Sequence, residues 1–179
     1  EDMVTVRRFE GELEANWKLA TEVFIEEYHA PTVHTYTLYK RPLHMKGYDR
    51  ALGAYSTVFG AHEGSRALIE GKGHTPFPPI ASLEGQARGG TRWTVTYSGF
   101  CFAATIDCMW FIECYPIAPN RTRYAWVNCF PRSTVERADY DRLASGYYER
   151  WDAAVIEDNA ILERQQRGLS SPYARPGRV

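Results

Sequence analysis

The sequence lacks the features that mark several protein classes. Its four cysteines, Cys101, Cys108, Cys114 and Cys129, form no Cys-x-x-Cys pair, and none is closely followed by His. Zinc-ribbon and ferredoxin-type spacings are therefore absent. Charge excess is nearly absent too: 21 Lys and Arg stand against 22 Asp and Glu, a formal net charge of -1. Nucleic-acid binders usually carry a basic surplus, so nucleic acid is not an expected partner. No uninterrupted apolar run approaches the roughly 20 residues that span a bilayer, so no membrane association is expected. The opening residues Glu1-Asp2-Met3-Val4 have neither a basic region nor an apolar stretch and do not read as a signal peptide. There is no Gly-x-Gly-x-x-Gly or Walker loop to cradle a nucleotide, and no Gly-x-Ser-x-Gly elbow for a serine nucleophile.

Aromatic residues are abundant: 14% of the 179 residues, with 12 Tyr and 5 Trp. Such richness suits a tightly packed β-rich core, or a pocket for flat apolar ligands. A chain of this length allows one domain, or at most two small ones, and a single domain of this size can bury about 70% of the surface its unfolded form exposes. It needs no disulfide or metal merely to hold a core. The cysteines lie among aromatic and β-branched residues, where a free thiol behaves as a small buried hydrophobe. They read as reduced and structural, which points to a cytoplasmic location.

Periodicity predicts an opening strand over 4–13 and a helix over 17–28, where Leu19, Val23, Glu27 and Tyr28 follow three-four spacing. Pro31 ends that helix, because the residue before a proline is pushed out of helical geometry. Residues 42–79, rich in Gly and Pro, should be mostly loop with short strands, and 84–90 is a second break. Strands are expected over 92–102, 106–115 and 123–130, the last two joined by a turn over 116–122 containing Pro119-Asn120. A long helix is expected over 135–167, capped by Ser133 with Glu136 answering it, and closed by Gly168. Its inner stripe runs Tyr140, Leu143, Tyr147, Trp151, Ala154, Asp158, Ile161, Leu162 and Gln165. The last ten residues should form an irregular tail. The order describes an α+β domain in which a curved antiparallel sheet grips the final helix.

Asp158 breaks that stripe. A lone buried carboxylate costs several kcal/mol unless it is paired or binds a metal. A salt bridge to a buried Arg would answer it; so would a metal. The second unusual feature is Glu26-Glu27-Tyr28-His29-Ala30-Pro31-Thr32-Val33-His34, with two histidines five apart across a helix end. Pro31 can bend the chain so that His34 returns towards His29. Two neutral imidazoles with a carboxylate from a distant helix would occupy one face of Fe(II) and leave positions open for dioxygen or water. Read singly, the histidines are ordinary surface or core residues. His44, His62 and His74 have no matching carboxylate and read as surface or supporting residues, and Tyr28 reads as packing beneath the site or into the core.

The run Asn16-Trp17-Lys18-Leu19-Ala20-Thr21-Glu22, with Phe24, Glu26, Tyr28-His29 and His34, resembles the iron-binding segment of Rieske-type ring-hydroxylating oxygenase α subunits. Glu157-Asp158-Asn159-Ala160-Ile161-Leu162-Glu163, followed by Gln166-Arg167-Gly168-Leu169, resembles the helix that carries the family's carboxylate ligand. The resemblance covers essentially the whole chain. It implies a START-like helix-grip fold, a single catalytic domain over 1–179, and mononuclear non-heme Fe(II). It further implies dioxygen-dependent dihydroxylation, monooxygenation or demethylation of a small aromatic or similar apolar substrate. His29, His34 and Asp158 map onto the iron ligands. Glu26 maps onto the acidic residue that links the iron site to an adjacent subunit's cluster, and its spacing from His29 would place both on one helix face. By the same matching, Val23, Tyr148 and Val155 are candidate pocket walls.

Two departures stand out. Val23 occupies a position where the family usually has Asn, which alters the hydrogen bonding near the iron. The Cys-x-His and Cys-x-x-His pairs of a Rieske centre are missing, so the [2Fe-2S] cluster is expected on another segment or chain. A Glu at position 1 favours the C-terminal half of a longer α subunit. By analogy the intact protein is a homotrimer fed by a ferredoxin or reductase. Two rival readings use the same residues: a metal-free helix-grip ligand-binding module, and a zinc hydrolase with two His and one carboxylate.

Overall fold

The structure is a computed structural model that describes residues 2–38, 44–46 (main chain only) and 53–175. Alternating apolar and polar residues build one antiparallel sheet of seven strands. These are β1 (Met3–Leu13), β2 (His44–Lys46), β3 (Tyr55–Ala61), β4 (Gly90–Thr96), β5 (Phe100–Ala104), β6 (Met109–Ala118) and β7 (Arg121–Pro131). Their order is β1-β7-β6-β5-β4-β3-β2. The chain lays down one edge, crosses to the other, and returns strand by strand until β7 pairs with β1, Phe9 opposite Trp126.

Four α-helices lie among the described residues, α1 (Trp17–Ile25), α2 (Ala30–Val33), α3 (Arg132–Val135) and α4 (Tyr140–Leu169), with a short 3-10 helix over Gly85–Gly89. Helix α4 buries Leu143, Ala144, Tyr147, Trp151 and Val155 against Ala103, Trp110, Trp126 and Phe130 of the sheet and Phe77 of the long β3–β4 connection. Trp151 is wholly buried, its ring centroid 5.7 Å from that of Phe130 and 6.0 Å from that of Trp110. A polar knot is set into this core. The Tyr147 hydroxyl donates to Asp107 Oδ2 at 2.5 Å and accepts from the Phe77 amide at 2.9 Å, while Thr105 donates to Asp107 Oδ1. A second apolar cluster, Leu13, Ala15, Leu19 and Leu162, fastens α1 to α4. The helix-grip architecture is thus the one expected.

Several boundaries differ from expectation. The strand expected over 92–102 is two strands reversing at Tyr97–Gly99, and Gly99 takes φ +85° with Cys114 packed behind it. The turn expected over 116–122 shrinks to Pro119-Asn120, because both flanking strands keep pairing to Ala118 and Arg121. The strand expected from 106 begins at Met109, since Thr105 ties residues 105–108 into a local turn. The long helix starts at Tyr140. Asp139 sits at φ -100° and ψ 9° with its carboxylate taking both Arg137 nitrogens, at 2.9 and 3.0 Å, which breaks the helix there. Ser133 lies inside α3 instead of capping α4, and the helix runs through Gly168 to Leu169. Gln165 is exposed; its neighbour Gln166 turns inward and accepts from the Asn16 amide at 2.9 Å. Of residues 42–79, much is loop as expected, and the His44 side chain lies outside the described residues.

Candidate metal centre

Helix α1 starts where Asn16 caps it: the Asn16 side chain accepts from the Lys18 amide at 3.0 Å. It stops at Ile25, three residues earlier than expected, because Glu26 turns extended with ψ 148°. Glu26 therefore does not share a helix face with His29. It reaches His29 another way, as the acceptor that opens α2: its Oε2 takes the His29 amide at 3.0 Å and its Oε1 meets His29 Nδ1 at 2.6 Å. Pro31 does not end a helix; it stands in the first turn of α2, where its missing N–H is not needed. His29 and His34 bracket that four-residue helix as its N-cap and C-cap residues. This explains how a five-residue spacing brings two imidazoles together, with ring centroids 5.1 Å apart and planes at 76°. Tyr28 is directed outward and is 93% exposed, so it packs neither beneath the site nor into the core.

Helix α4 brings the third group. Asp158 Oδ1 lies 2.9 Å from His34 Nε2 and 3.6 Å from His29 Nε2. One donor atom from each of His29, His34 and Asp158 falls within 4.8 Å of the others. Both histidines direct Nε2 at this point and hand Nδ1 to a carboxylate: His29 to Glu26, and His34 to Glu157 Oε2 at 2.7 Å. Thr37 donates to the same Glu157 oxygen at 2.6 Å. An acceptor at Nδ1 fixes the proton there and leaves Nε2 a lone pair for a metal. Glu157 was not anticipated; the signal available was its place beside Asp158 on a helix whose next turn faces α2.

The donor set fits a divalent ion on a further observation. Asp158 Oδ1 is buried and accepts no well-directed hydrogen bond, despite its closeness to His34. Such an oxygen is costly unless a cation satisfies it. The electrostatics agree. Burial pushes His34 down, but Asp158 and Glu157 more than offset this and leave its pKa above the usual imidazole value. For Glu26, burial acts to raise its pKa, and the bonds from His29 outweigh that and hold it low. Three carboxylates around two imidazoles make a site that is short of positive charge.

The centre opens onto a cavity of about 520 Å³ whose walls include Val23, Phe24, Trp93, Trp110, Trp126 and Ala154. Val155 lines a smaller neighbouring cavity of about 40 Å³ that also touches Asp158. Tyr148, expected as a pocket wall, lies in neither: its hydroxyl meets that of Tyr140 at 2.8 Å and its ring lies beneath the Arg7 guanidinium. The odd spacing from Asp158 turns it towards β1. His62 is held by Thr91 at 2.7 Å, and His74 meets Glu149 at 3.1 Å at the cavity edge. All four cysteines are free and buried. Among the described residues no helix is long and apolar enough to cross a membrane.

Residues 1–179 match the family of ring hydroxylating alpha subunit catalytic domains, and the chain belongs to that family. That family comprises the catalytic domains of Rieske-type oxygenase α subunits. The chain is 24% identical over 176 residues to the chloroplastic choline monooxygenase of Spinacia oleracea, matching 97% of this chain and 36% of the relative. The fold is similar to that of the quaternary ammonium Rieske monooxygenase CntA, with a TM-score of 0.68 and 18% identity over 95% of this chain and 41% of that one. It is also similar to naphthalene 1,2-dioxygenase from Rhodococcus sp., with a TM-score of 0.66 and 11% identity over 96% of this chain and 46% of that one. The chain thus spans less than half the length of these relatives.

Proposed function

We propose that the protein uses His29, His34 and Asp158 to hold a mononuclear Fe(II) and oxygenates a small organic substrate in the adjoining cavity. The observation that carries this reading is the convergence of two Nε2 atoms and one otherwise unsatisfied carboxylate oxygen on a single point at the cavity wall. When bound, Fe(II) there supplies the dioxygen-activating chemistry of the family, with electrons from a Rieske [2Fe-2S] centre on another segment or chain. The chain's own residues do the rest. Glu26 and Glu157 keep the imidazole protons at Nδ1 and so keep both Nε2 atoms available. Trp93, Trp110 and Trp126 give the cavity an apolar lining that suits an aromatic or other apolar group, and an aromatic wall also suits a quaternary ammonium head of the kind the monooxygenase relatives take.

Glu26 is the candidate electron and proton bridge. Its side chain is 30% exposed while it holds His29, so it can face both the site and a donor docked from outside. That arrangement suits assembly as a trimer with electrons passing between subunits and arriving from a ferredoxin or reductase. The buried free thiols suit the reducing cytoplasm.

Metal analysis of protein reconstituted without oxygen tests the reading. Wild-type protein is expected to bind one Fe(II) per chain, and Asp158→Ala to lose it while keeping its far-UV circular dichroism. Full iron retention in Asp158→Ala sinks the ligand set. Turnover with Zn(II) in the absence of dioxygen would favour a hydrolase instead.

A further inference from the structure

Arg150 is the odd residue on the inner face of α4. Its relative exposure is 8%, and its Nε is buried without an acceptor. Among the described residues no carboxylate lies within ion-pair reach of it; its one close partner is the face of Trp110, with the guanidinium carbon 4.9 Å from the ring centroid. Burying a guanidinium without an anion is costly, and a ring face compensates only in part. Burial lowers its pKa to about 10, and the longer-range attraction of Cys108, Asp158 and Glu157 only partly opposes this, so it remains charged at neutral pH.

The position has a direction. Arg150, Ala154 and Asp158 stand at i, i+4 and i+8, so they share one face of α4, and all three line the 520 Å³ cavity. Eight residues of helix separate the Cα atoms of Arg150 and Asp158 by about 12 Å. The cavity therefore has the His29, His34 and Asp158 cluster at one end and, two turns away, a guanidinium over Trp110 that no carboxylate among the described residues pairs with directly. Arg66 lines the same cavity. The acids that also line it are the ligand Asp158 with Glu26 and Glu27 near the histidines, and Glu63 and Glu70 on the segment after β3. None of these is an ion-pair partner of Arg150.

We infer that the substrate is an organic carboxylate whose anionic group pairs with the Arg150 fork while the carbon to be oxidised lies at the far end, beside the metal ligands. The planar guanidinium matches a carboxylate through two parallel hydrogen bonds, and Trp110 fixes its plane. This rests on the oxygenase reading only for the identity of the far end; the anion subsite stands on Arg150 itself.

The test is calorimetric titration of the full chain with three matched acid and amide pairs: benzoate and benzamide, indole-3-acetate and indole-3-acetamide, γ-butyrobetaine and its amide. At least one acid is expected to bind about ten- to hundredfold more tightly than its amide. Arg150→Met should erase that preference, and Arg150→Lys, which keeps the charge but not the fork, should keep part of it. Co(II) binding and thermal unfolding are measured on the same samples. Equal binding of every acid and amide, failure of every acid to bind, or a preference that survives in Arg150→Met overturns the inference. A carboxylate preference without Co(II) binding would instead overturn the iron site and leave the subsite standing.

Discussion

Glu157 offers the sharpest test of the metal centre, because it touches no metal yet should control metal affinity. Its Oε2 accepts from His34 Nδ1 at 2.7 Å and from Thr37 at 2.6 Å. Glu157→Ala removes the acceptor that fixes the His34 tautomer and ring orientation, and it strands the Thr37 hydroxyl. Loss of such a partner typically weakens metal binding about 10- to 100-fold, or about 1.4–2.8 kcal/mol at 1.4 kcal/mol per tenfold. Glu157→Gln keeps an acceptor oxygen but loses the charge. The side chain is 27% exposed, so water screens part of that charge, and the Gln variant should fall at or below the low end of the range. The expected order of affinity is wild type, Gln, then Ala. Anaerobic Co(II) titration followed by the visible absorption of the bound ion reads it directly, with metal-free thermal unfolding as the control for folding. Unchanged affinity in both variants, or a Gln variant weaker than Ala, would refute the assignment of Glu157 as the orienting partner.

The raised pKa of His34 has two consequences of opposite sign. In the metal-free protein a histidine whose folded pKa exceeds its unfolded value of about 6.5 contributes stability in full below that pH and loses it as pH rises through the folded value. The stability difference between wild type and His34→Gln without metal should therefore shrink on raising the pH across that window, in urea titrations at fixed temperature; a pH-independent difference speaks against the pairing. Metal affinity should rise over the same window, because only the neutral imidazole binds, with proton release measurable by titration in two buffers. In the core, Tyr147→Phe leaves the Phe77 amide without its acceptor and Asp107 with one partner fewer, at a cost of about 1–3 kcal/mol. An unchanged urea midpoint would show that the knot adds nothing.

The helix-grip layout was legible because its longest elements carry clean periodicities: β1, β7 and the Tyr147–Trp151–Ala154 stripe of α4. The grouping of His29, His34 and Asp158 was legible because Asp158 is an acid on an apolar face and because two histidines flank a proline. What escaped is local turn chemistry and neighbour chemistry. The strand expected over 92–102 contained its own warning: apolar positions run Trp93, Val95, Tyr97 and then Phe100, Phe102, a slip of phase that a continuous strand cannot make, with Ser98-Gly99 between. The α3–α4 break depends on Arg137 forking onto Asp139, a contact that no periodicity encodes. Pro31 read as a stop because it discourages helix before it, yet here it begins one. Glu157 and Arg150 escaped notice because only the tertiary packing reveals that the His34 segment covers one and the cavity wall holds the other.

The proposed ligands come from two segments more than a hundred residues apart, and packing within the fold brings them together. Leu19 of α1 packs with Leu162, one turn beyond Asp158 on α4, and the Asn16 amide is held by Gln166 one turn further on. This apolar clamp fixes where α1 ends, and Glu26 then aims His29 by taking its amide as well as its ring. Three donors are thus held near one another by contacts that owe nothing to an ion, at the cost of gathering Glu26, Glu157 and Asp158 around two imidazoles. On the proposed reading, fold packing supplies the geometry and that crowding of negative charge would favour a dication. Substitutions in the clamp should therefore loosen metal binding through position alone, and substitutions at the carboxylates through charge and proton placement, two effects that salt separates because only the second is screened.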